Sequence, residues 1–193
     1  MPLIKAHPPK NILDKSDPMF AADLEENGFV PNSSLLFSGR PEVFAAWREL
    51  QRSVRAPLSP RRYELIVFAA ALALKSTYAA WVQAVSLSQF FSPAELETLA
   101  MDYRKAPLET VEVAVMDFAQ KIALHASKVT PADIQWLLSL GVSEAEIGDI
   151  TLASAAQCFL SKVVDGLAAE PDPPQRSLDP DLRSALSLGR HFD

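Results

Sequence analysis

Glu64 is the residue whose surroundings most favour chemistry, because it directly precedes ten consecutive apolar residues at positions 65–74. A carboxyl group at the edge of such a run is expected to lose contact with water on folding, which raises its pKa. A carboxyl group that titrates near neutral pH can take up and release a proton during a reaction. We therefore predict that Glu64 is a catalytic acid or base. The alternative is a structural role in a buried hydrogen bond.

Ser76, Tyr78 and Gln83 follow in the next segment and complete the predicted catalytic site with Glu64. Tyr78 and Gln83 can each donate and accept a hydrogen bond, so either could orient a small substrate or simply satisfy the buried carboxyl group. At helical spacing Ser76 and Gln83 lie on one face. A serine hydroxyl is not appreciably ionised near neutral pH, and no base stands beside this one, so Ser76 is not predicted to be a nucleophile.

Cys158 is the single cysteine of the chain. One cysteine cannot form an internal disulfide, which fits a reducing compartment. The neighbouring residues are mostly small or apolar, and this context favours a buried and inert thiol. A reactive thiol is the alternative, and it would require that the sulfur be exposed.

Helices are predicted to hold these residues, since the sequence has only six glycines and no clear segment alternates with a period of two. Leu58-Ser59-Pro60 supplies a helix N-cap and a first-turn proline, so a buried central helix is expected over about residues 60–75. A second helix should follow over about 76–90. A long last helix should begin near Ser143 and continue to about Ala168.

Small residues in that last helix, at Ala153, Ala155 and Ala156, are predicted to let it pack closely against the central helix. The length of 193 residues suits one domain, so the fold class is an all-α, single-domain helical bundle. The helical domain is expected over residues 19–169. Residues 1–18 are predicted to be an extended, proline-containing arm, and residues 170–193 a proline-rich tail with at most one short helical turn.

Composition excludes several classes of function. The net charge of −6 argues against a nucleic-acid partner, which would need a clustered basic face. Five arginines between residues 48 and 62 are assigned to solvated helix faces and ion pairs. The first residues lack the apolar core of a secretory signal, and no apolar run is long enough to span a membrane, so a soluble, cytoplasmic protein is expected. His7 has no neighbouring ligands, and neither a metal nor a cofactor is predicted.

The layout around Glu64 resembles the alkylhydroperoxidase D-like and carboxymuconolactone decarboxylase superfamily. Its redox branch carries a glutamate, a cysteine twelve positions on, a second cysteine three further and a histidine four beyond that. In this chain the cysteine positions are Ser76 and Ala79, and the histidine position is Gln83, so only the glutamate matches. A dithiol peroxidase needs one thiolate to attack and a second thiol to resolve. We therefore predict no dithiol peroxidase activity.

Segments on both sides support the resemblance, which covers roughly residues 27–169. Residues 28–33 and 40–42 are similar to the entry segment of the family, and residues 141–147 are similar to the start of its last long helix. The resemblance implies a bundle of about seven to nine helices. It also implies a homo-oligomer.

Three functions stay open from the sequence. The first is a non-redox enzyme in which Glu64 moves a proton on a small carboxylate, lactone or carbonyl compound. The second is a non-catalytic, oligomeric protein that binds a ligand or a partner. The third is a peroxidase-related redox protein that uses Cys158 with a thiol from a partner.

Overall fold

The computed structural model describes residues 18–192. The predicted arm at residues 1–18 therefore lies outside the described residues, apart from its last residue. Within residues 18–192 the chain forms α-helices and no strand, which confirms the all-α prediction. The helices are α1 (Ala21–Asn27), α2 (Asn32–Leu35), α3 (Pro41–Arg55), α4 (Pro60–Ala73), α5 (Thr77–Leu87), α6 (Pro93–Asp102), α7 (Thr110–His125), α8 (Pro131–Ser139), α9 (Glu144–Gly166), α10 (Pro173–Arg176) and α11 (Pro180–Ala185). Eight of these have seven or more residues, within the predicted range, and three are shorter.

The predicted central helix is α4, which packs against α5, α7 and α9. Ser59 caps it by accepting a hydrogen bond from the amide of Arg62, and Pro60 occupies its first turn. Residues 65–71 are almost fully inaccessible to solvent. Because no side of this part of the helix is exposed to solvent, the helix can be stable only at the centre of a bundle.

A single left-handed residue, Lys75, connects α4 to α5. Its φ of 55° is unusual for a residue other than glycine, and it reverses the chain so that α5 packs back on α4. Gly189 lies directly against this junction, where a Cβ on the glycine would overlap the carbonyl oxygen of Lys75. The end of the chain therefore fits closely over the α4–α5 turn.

The C-terminal segment, residues 170–192, is more ordered than the sequence suggested. It contains two short helices, α10 and α11, where at most one helical turn was expected. Asp172 and Gln175 form a capping box for α10, and Leu182 of α11 and Leu186 directly after it are buried in the core. This segment packs against α5 and α6.

The long helix α9 packs against α3, α4, α5 and α7. Two of the three small residues predicted to face the central helix, Ala153 and Ala156, are buried, but Ala155 is exposed. By length and composition α9 could cross a membrane, with a mean hydropathy of 1.2 over its most apolar 18 residues. Polar residues spread along α9 interrupt its apolar residues, so the sequence contains no uninterrupted apolar run here. Only 44% of that window is buried inside the fold.

Candidate functional site

Glu64 lies near the start of α4 and is 5% exposed. Its carboxylate pairs with Arg55 at the end of α3, with 3.3 Å between Oε1 and Nη2. Burial raises the pKa of Glu64 to about 7, and the positive charge of Arg55 opposes this rise without cancelling it. The carboxyl group can therefore gain and lose a proton near neutral pH.

Ser76 is the N-cap residue of α5 and is fully buried. Its hydroxyl donates a hydrogen bond to Oδ1 of Asp165 on α9, at 3.0 Å. Burial raises the pKa of Asp165, while the bond from Ser76 lowers it. Ser76 therefore connects α5 to α9 and is not bonded to Glu64.

Tyr78 connects three separate parts of the chain. Its hydroxyl donates to Oδ2 of Asp172 at 2.8 Å and accepts from the amide of Ser33 at 3.2 Å. The other oxygen of Asp172 accepts from the amide of Asn32 at 2.9 Å. Burial strongly raises the pKa of Tyr78, so the phenol stays protonated and serves as a donor. This network joins α2, α5 and the C-terminal segment.

The predicted hydrogen bonds between Glu64 and Ser76, Tyr78 or Gln83 do not form among residues 18–192. Ser76 bonds to Asp165 and Tyr78 bonds to Asp172, while Glu64 pairs with Arg55. The sequence could not distinguish these partners, because Asp165 and Asp172 lie about 90 residues further along the chain.

A cleft of about 360 Å³ lies between α1, α2, α3, α5 and the C-terminal segment. Its aromatic and aliphatic wall includes Phe29, Phe37, Phe44, Trp47, Val82 and Leu160, and its polar wall includes Asp23, Arg48, Gln51, Arg55, Tyr78, Gln83 and Asp172. Glu64 does not line it. Arg55 both lines the cleft and pairs with Glu64, so it connects the buried carboxyl group to the ligand-sized space.

Gln83 is a polar residue of the cleft wall. The residue is 7% exposed, and its amide makes no hydrogen bond to any residue in the described part of the chain. The amide atoms are not among the enclosed side-chain atoms of residues 18–192 that lack a partner, so they remain open to the cleft. Gln83 therefore marks a position where a ligand could accept or donate a hydrogen bond.

The cationic groups of the cleft differ in how firmly they are held. Arg48 binds Asp23 at 2.9 Å and Glu26 at 3.0 Å, so two carboxylates neutralise it. Burial raises the pKa of Asp23, which the charge of Arg48 opposes. Arg55 has a single carboxylate partner, Glu64, at the longer distance of 3.3 Å; its guanidinium also lies over the ring of Tyr63, and its side chain is 55% exposed. Arg55 is therefore the cation that an anionic ligand can recruit most easily.

All five arginines of the segment from residue 48 to residue 62 form ion pairs, as predicted. Their roles were only partly anticipated, because Arg48 and Arg55 also line the cleft. Asp172 was missed because the C-terminal segment was predicted to be a tail. Its sequence Asp-Pro-Pro-Gln carries the capping-box signal that could have revealed the helix start.

The C-terminal segment also packs beside Ser76 and Ala79, the two positions that the family resemblance predicted for the cysteine pair. The amide of Gly189 donates to Oγ1 of Thr77 at 3.0 Å, and the ring of Phe192 packs 5.4 Å from that of Trp81. Ser76 and Ala79 are 0% and 1% exposed. A side chain at either position therefore lies beneath packed protein.

Cys158 lies on α9 and is only partly buried, which corrects the prediction of a core cysteine. It lines a shallow outer groove with Phe159, Lys162 and Val163. Burial raises the pKa of its thiol, which lowers the fraction of reactive thiolate. In residues 18–192 no group of three His, Cys, Asp or Glu side chains is arranged to hold a metal ion.

No protein-family model matches the sequence, and no curated protein matches it. Solved structures do resemble this fold. An uncharacterized peroxidase-related protein from Ralstonia eutropha JMP134, described as an alkylhydroperoxidase AhpD core, superposes with a TM-score of 0.75 at 23% identity, covering 81% of this chain and 84% of that one. This chain has the alkylhydroperoxidase AhpD-like fold.

Two further structures share the AhpD-like arrangement over nearly their whole length. A peroxidase-related protein from Silicibacter sp. TM1040 has a TM-score of 0.76 at 23% identity, covering 91% of this chain and 98% of that one. The debrominase Bmp8, as a cysteine-to-alanine variant in complex with 2,3,4-tribromopyrrole, has a TM-score of 0.77 at 16% identity, covering 96% and 100%. The all-α, AhpD-like prediction is thereby confirmed at the level of the fold.

Proposed function

We propose that the cleft binds a small carboxylate, lactone or carbonyl compound and that Glu64 transfers a proton on it, without redox chemistry. The observation that carries this proposal is Gln83, whose amide is open to the cleft and makes no hydrogen bond to any described residue. A ligand oxygen held by Gln83 would lie in a space lined by aromatic rings on one side and polar groups on the other. Small-molecule sites commonly combine these features.

Arg55 would couple binding to proton transfer. A carboxylate in the cleft would attract the guanidinium away from Glu64, because the existing contact is long and partly solvated. Loss of that positive charge would raise the pKa of Glu64 further and open a path from its carboxyl group to the ligand. The ionised fraction of Glu64, which is then a stronger base, would remove a proton from the carbon beside the carbonyl group, leaving the electron pair delocalised on oxygen, and return the proton to complete the reaction.

The absence of sulfur at two positions supports chemistry other than dithiol redox turnover. Serine and alanine occupy the positions of the cysteine pair in the resemblance, and both are buried. The decarboxylase branch of that superfamily acts without such a pair, which makes proton transfer the closest precedent. The small ring bound by the debrominase Bmp8 supports a ligand of similar size in this cleft.

Deuterium exchange tests the proposal directly. The α-protons of a panel of small ketones, lactones and carboxylates would be followed by ¹H NMR in deuterated buffer with the purified protein. At least one compound should exchange faster with the native protein, and Glu64→Gln should abolish this increase. Glu25→Gln, at an exposed position on α1, is the matched control and should retain it. An identical exchange rate with native protein and Glu64→Gln for every compound would reject the catalytic role.

A non-catalytic ligand-binding function is the second candidate. The observation that favours it is the position of Glu64, which pairs with Arg55 and does not itself line the cleft. In that case, isothermal titration with benzoate as the probe would show binding that Gln83→Ala weakens, and no compound would exchange. The raised pKa of Cys158 gives no support to the third candidate, a redox protein that uses this thiol.

A further inference from the structure

The outward face of α9 carries a regular stripe of small and apolar residues. From residue 148 onward its exposed positions are Gly148, Leu152, Ala155, Phe159, Lys162 and Gly166, separated alternately by four and three residues, and all but Lys162 are small or apolar. Leu152 is 55% exposed and Phe159 is 41% exposed. This spacing is that of a seam between two packed helices, and we call these six residues the α9 seam.

The seam is complementary to itself when a second α9 runs in the opposite direction. If Ala155 faces Ala155 of a second copy, Leu152 meets Phe159 of that copy and Gly148 meets its Lys162. The large side chains Leu152 and Phe159 then pack on each other across the interface. The alanine pair at the centre lets the helices approach closely. An interface that uses the same patch on both subunits satisfies the symmetry of a twofold dimer.

The charges of α9 favour the same antiparallel direction. Acidic residues are concentrated in its first two turns, at Glu144, Glu146 and Asp149, and Lys162 lies near its other end. In the antiparallel arrangement, Lys162 of one copy would reach Glu144 and Asp149 beside Gly148 of the other. In a parallel arrangement like charges would face each other, and the two helix dipoles would also repel.

A groove on the second half of α9 supplies room for the partner helix. It is lined by Cys158, Phe159, Lys162, Val163, Gly166 and Leu167. The antiparallel register places Leu152 of the second copy at one end of this groove. Gly148 of that copy would lie over its middle, where the absence of a side chain permits close contact.

We propose that the α9 seam is a dimer interface whose occupant is α9 of a second copy of this chain, packed antiparallel about Ala155. The proposal does not depend on the reaction assigned to the cleft. Phe159 packs on Trp47, with ring centroids 5.0 Å apart, and Trp47 lines the cleft. The dimer contact would therefore lie behind one wall of the ligand site.

Sedimentation and disulfide trapping test the proposal. The native protein should sediment as a species of twice the 21.1 kDa chain mass. Leu152→Glu should raise the dissociation constant by about a hundredfold. Met101→Glu, on α6 and 80% exposed, is the matched control and should not change it. A native protein that stays monomeric at high micromolar concentration, or that is monomeric and floats with phosphatidylglycerol vesicles, would overturn the proposal.

Disulfide trapping tests the direction and register in the native fold. In a Cys158→Ser background, Ala155→Cys should cross-link on mild oxidation because the two copies of this position meet. Ala145→Cys, exposed on the same helix, should not, because ten residues from the twofold centre place its copies about 30 Å apart. Cross-linking of both variants would indicate parallel helices, and cross-linking of neither would reject the seam; either result would overturn the arrangement proposed.

Discussion

Glu64 and Arg55 form an ion pair in which the carboxyl group gains or loses its proton near neutral pH. The carboxylate is buried and the guanidinium is half exposed. The attraction between the two charges therefore only partly offsets the cost of burying the carboxylate. Burial outweighs the arginine charge and raises the pKa of Glu64 from its usual value of 4.5 to about 7. Small changes at Arg55 should therefore have large effects on the protonation of this acid.

The pH dependence of stability should report that balance. Because folding raises the pKa of Glu64 from 4.5 to about 7, the native state binds more protons than the unfolded state within this range. The contribution of Glu64 to the free energy of unfolding is thus present below about pH 4.5 and falls by about 3 kcal/mol as the pH rises to about 7. Urea unfolding of the native protein and of Glu64→Gln at pH 5, 6 and 7.5 measures it as their difference. A difference that does not vary with pH would contradict the raised pKa.

Gln83 should matter for ligand binding and have little effect on stability. Gln83→Leu replaces an amide that is open to the cleft with an apolar group of similar size, so the free energy of unfolding should change by less than about 1 kcal/mol. The same change should weaken binding of benzoate by about tenfold, because the hydrogen-bonding group of the cleft is lost. Chemical denaturation and isothermal titration measure the two effects. Loss of stability would show that Gln83 has a structural role.

Residue types alone identified the acid but not its neighbours. The apolar run after Glu64 correctly predicted burial and a raised pKa, since both depend mainly on the local sequence. The partners of Ser76 and Tyr78 come from α9 and the C-terminal segment, at separations of 89 and 94 residues. Such contacts depend on how helices pack, which no local pattern contains.

At the scale of elements, the helix starts were the most predictable features. Serine or threonine followed by proline marks the beginnings of α4, α6 and α8, and the side chain of that serine or threonine caps each helix. The C-terminal segment was not predicted because prolines and charges dominate its composition. Its order comes from contacts with α5 and α6, which a compositional argument cannot include.

The fit of the C-terminal segment over the α4–α5 turn can be tested at Gly189. Gly189→Ala places a Cβ against the carbonyl oxygen of Lys75, so the protein should lose about 1–3 kcal/mol of stability. Gly39→Ala is the matched control, because a Cβ there meets open space, and it should be neutral or slightly stabilising. Thermal and urea unfolding compare the two variants. Equal stability of both would show that the segment is not closely packed at this turn.

For the whole molecule, the proposed dimer has a thermodynamic consequence. Association of native chains stabilises them by mass action, so the melting temperature of the native protein should rise with protein concentration. In Leu152→Glu it should be independent of concentration. Calorimetry from 1 to 100 µM tests this, and a melting temperature that does not change for the native protein would contradict dimerisation of folded chains.

Packing of Phe192 on Trp81 gives the protein an optical reporter of its own. Trp81 is 3% exposed and lies beneath the C-terminal segment, while Trp47 faces the cleft and Trp136 is 53% exposed. In a variant with phenylalanine at positions 47 and 136, the remaining indole should emit at short wavelength as long as the segment is docked. Release of the C-terminal segment would shift the emission to the red and let quenchers such as iodide reach the ring. Fluorescence alone could therefore follow the uncovering of α5, the helix that carries Tyr78 and Gln83.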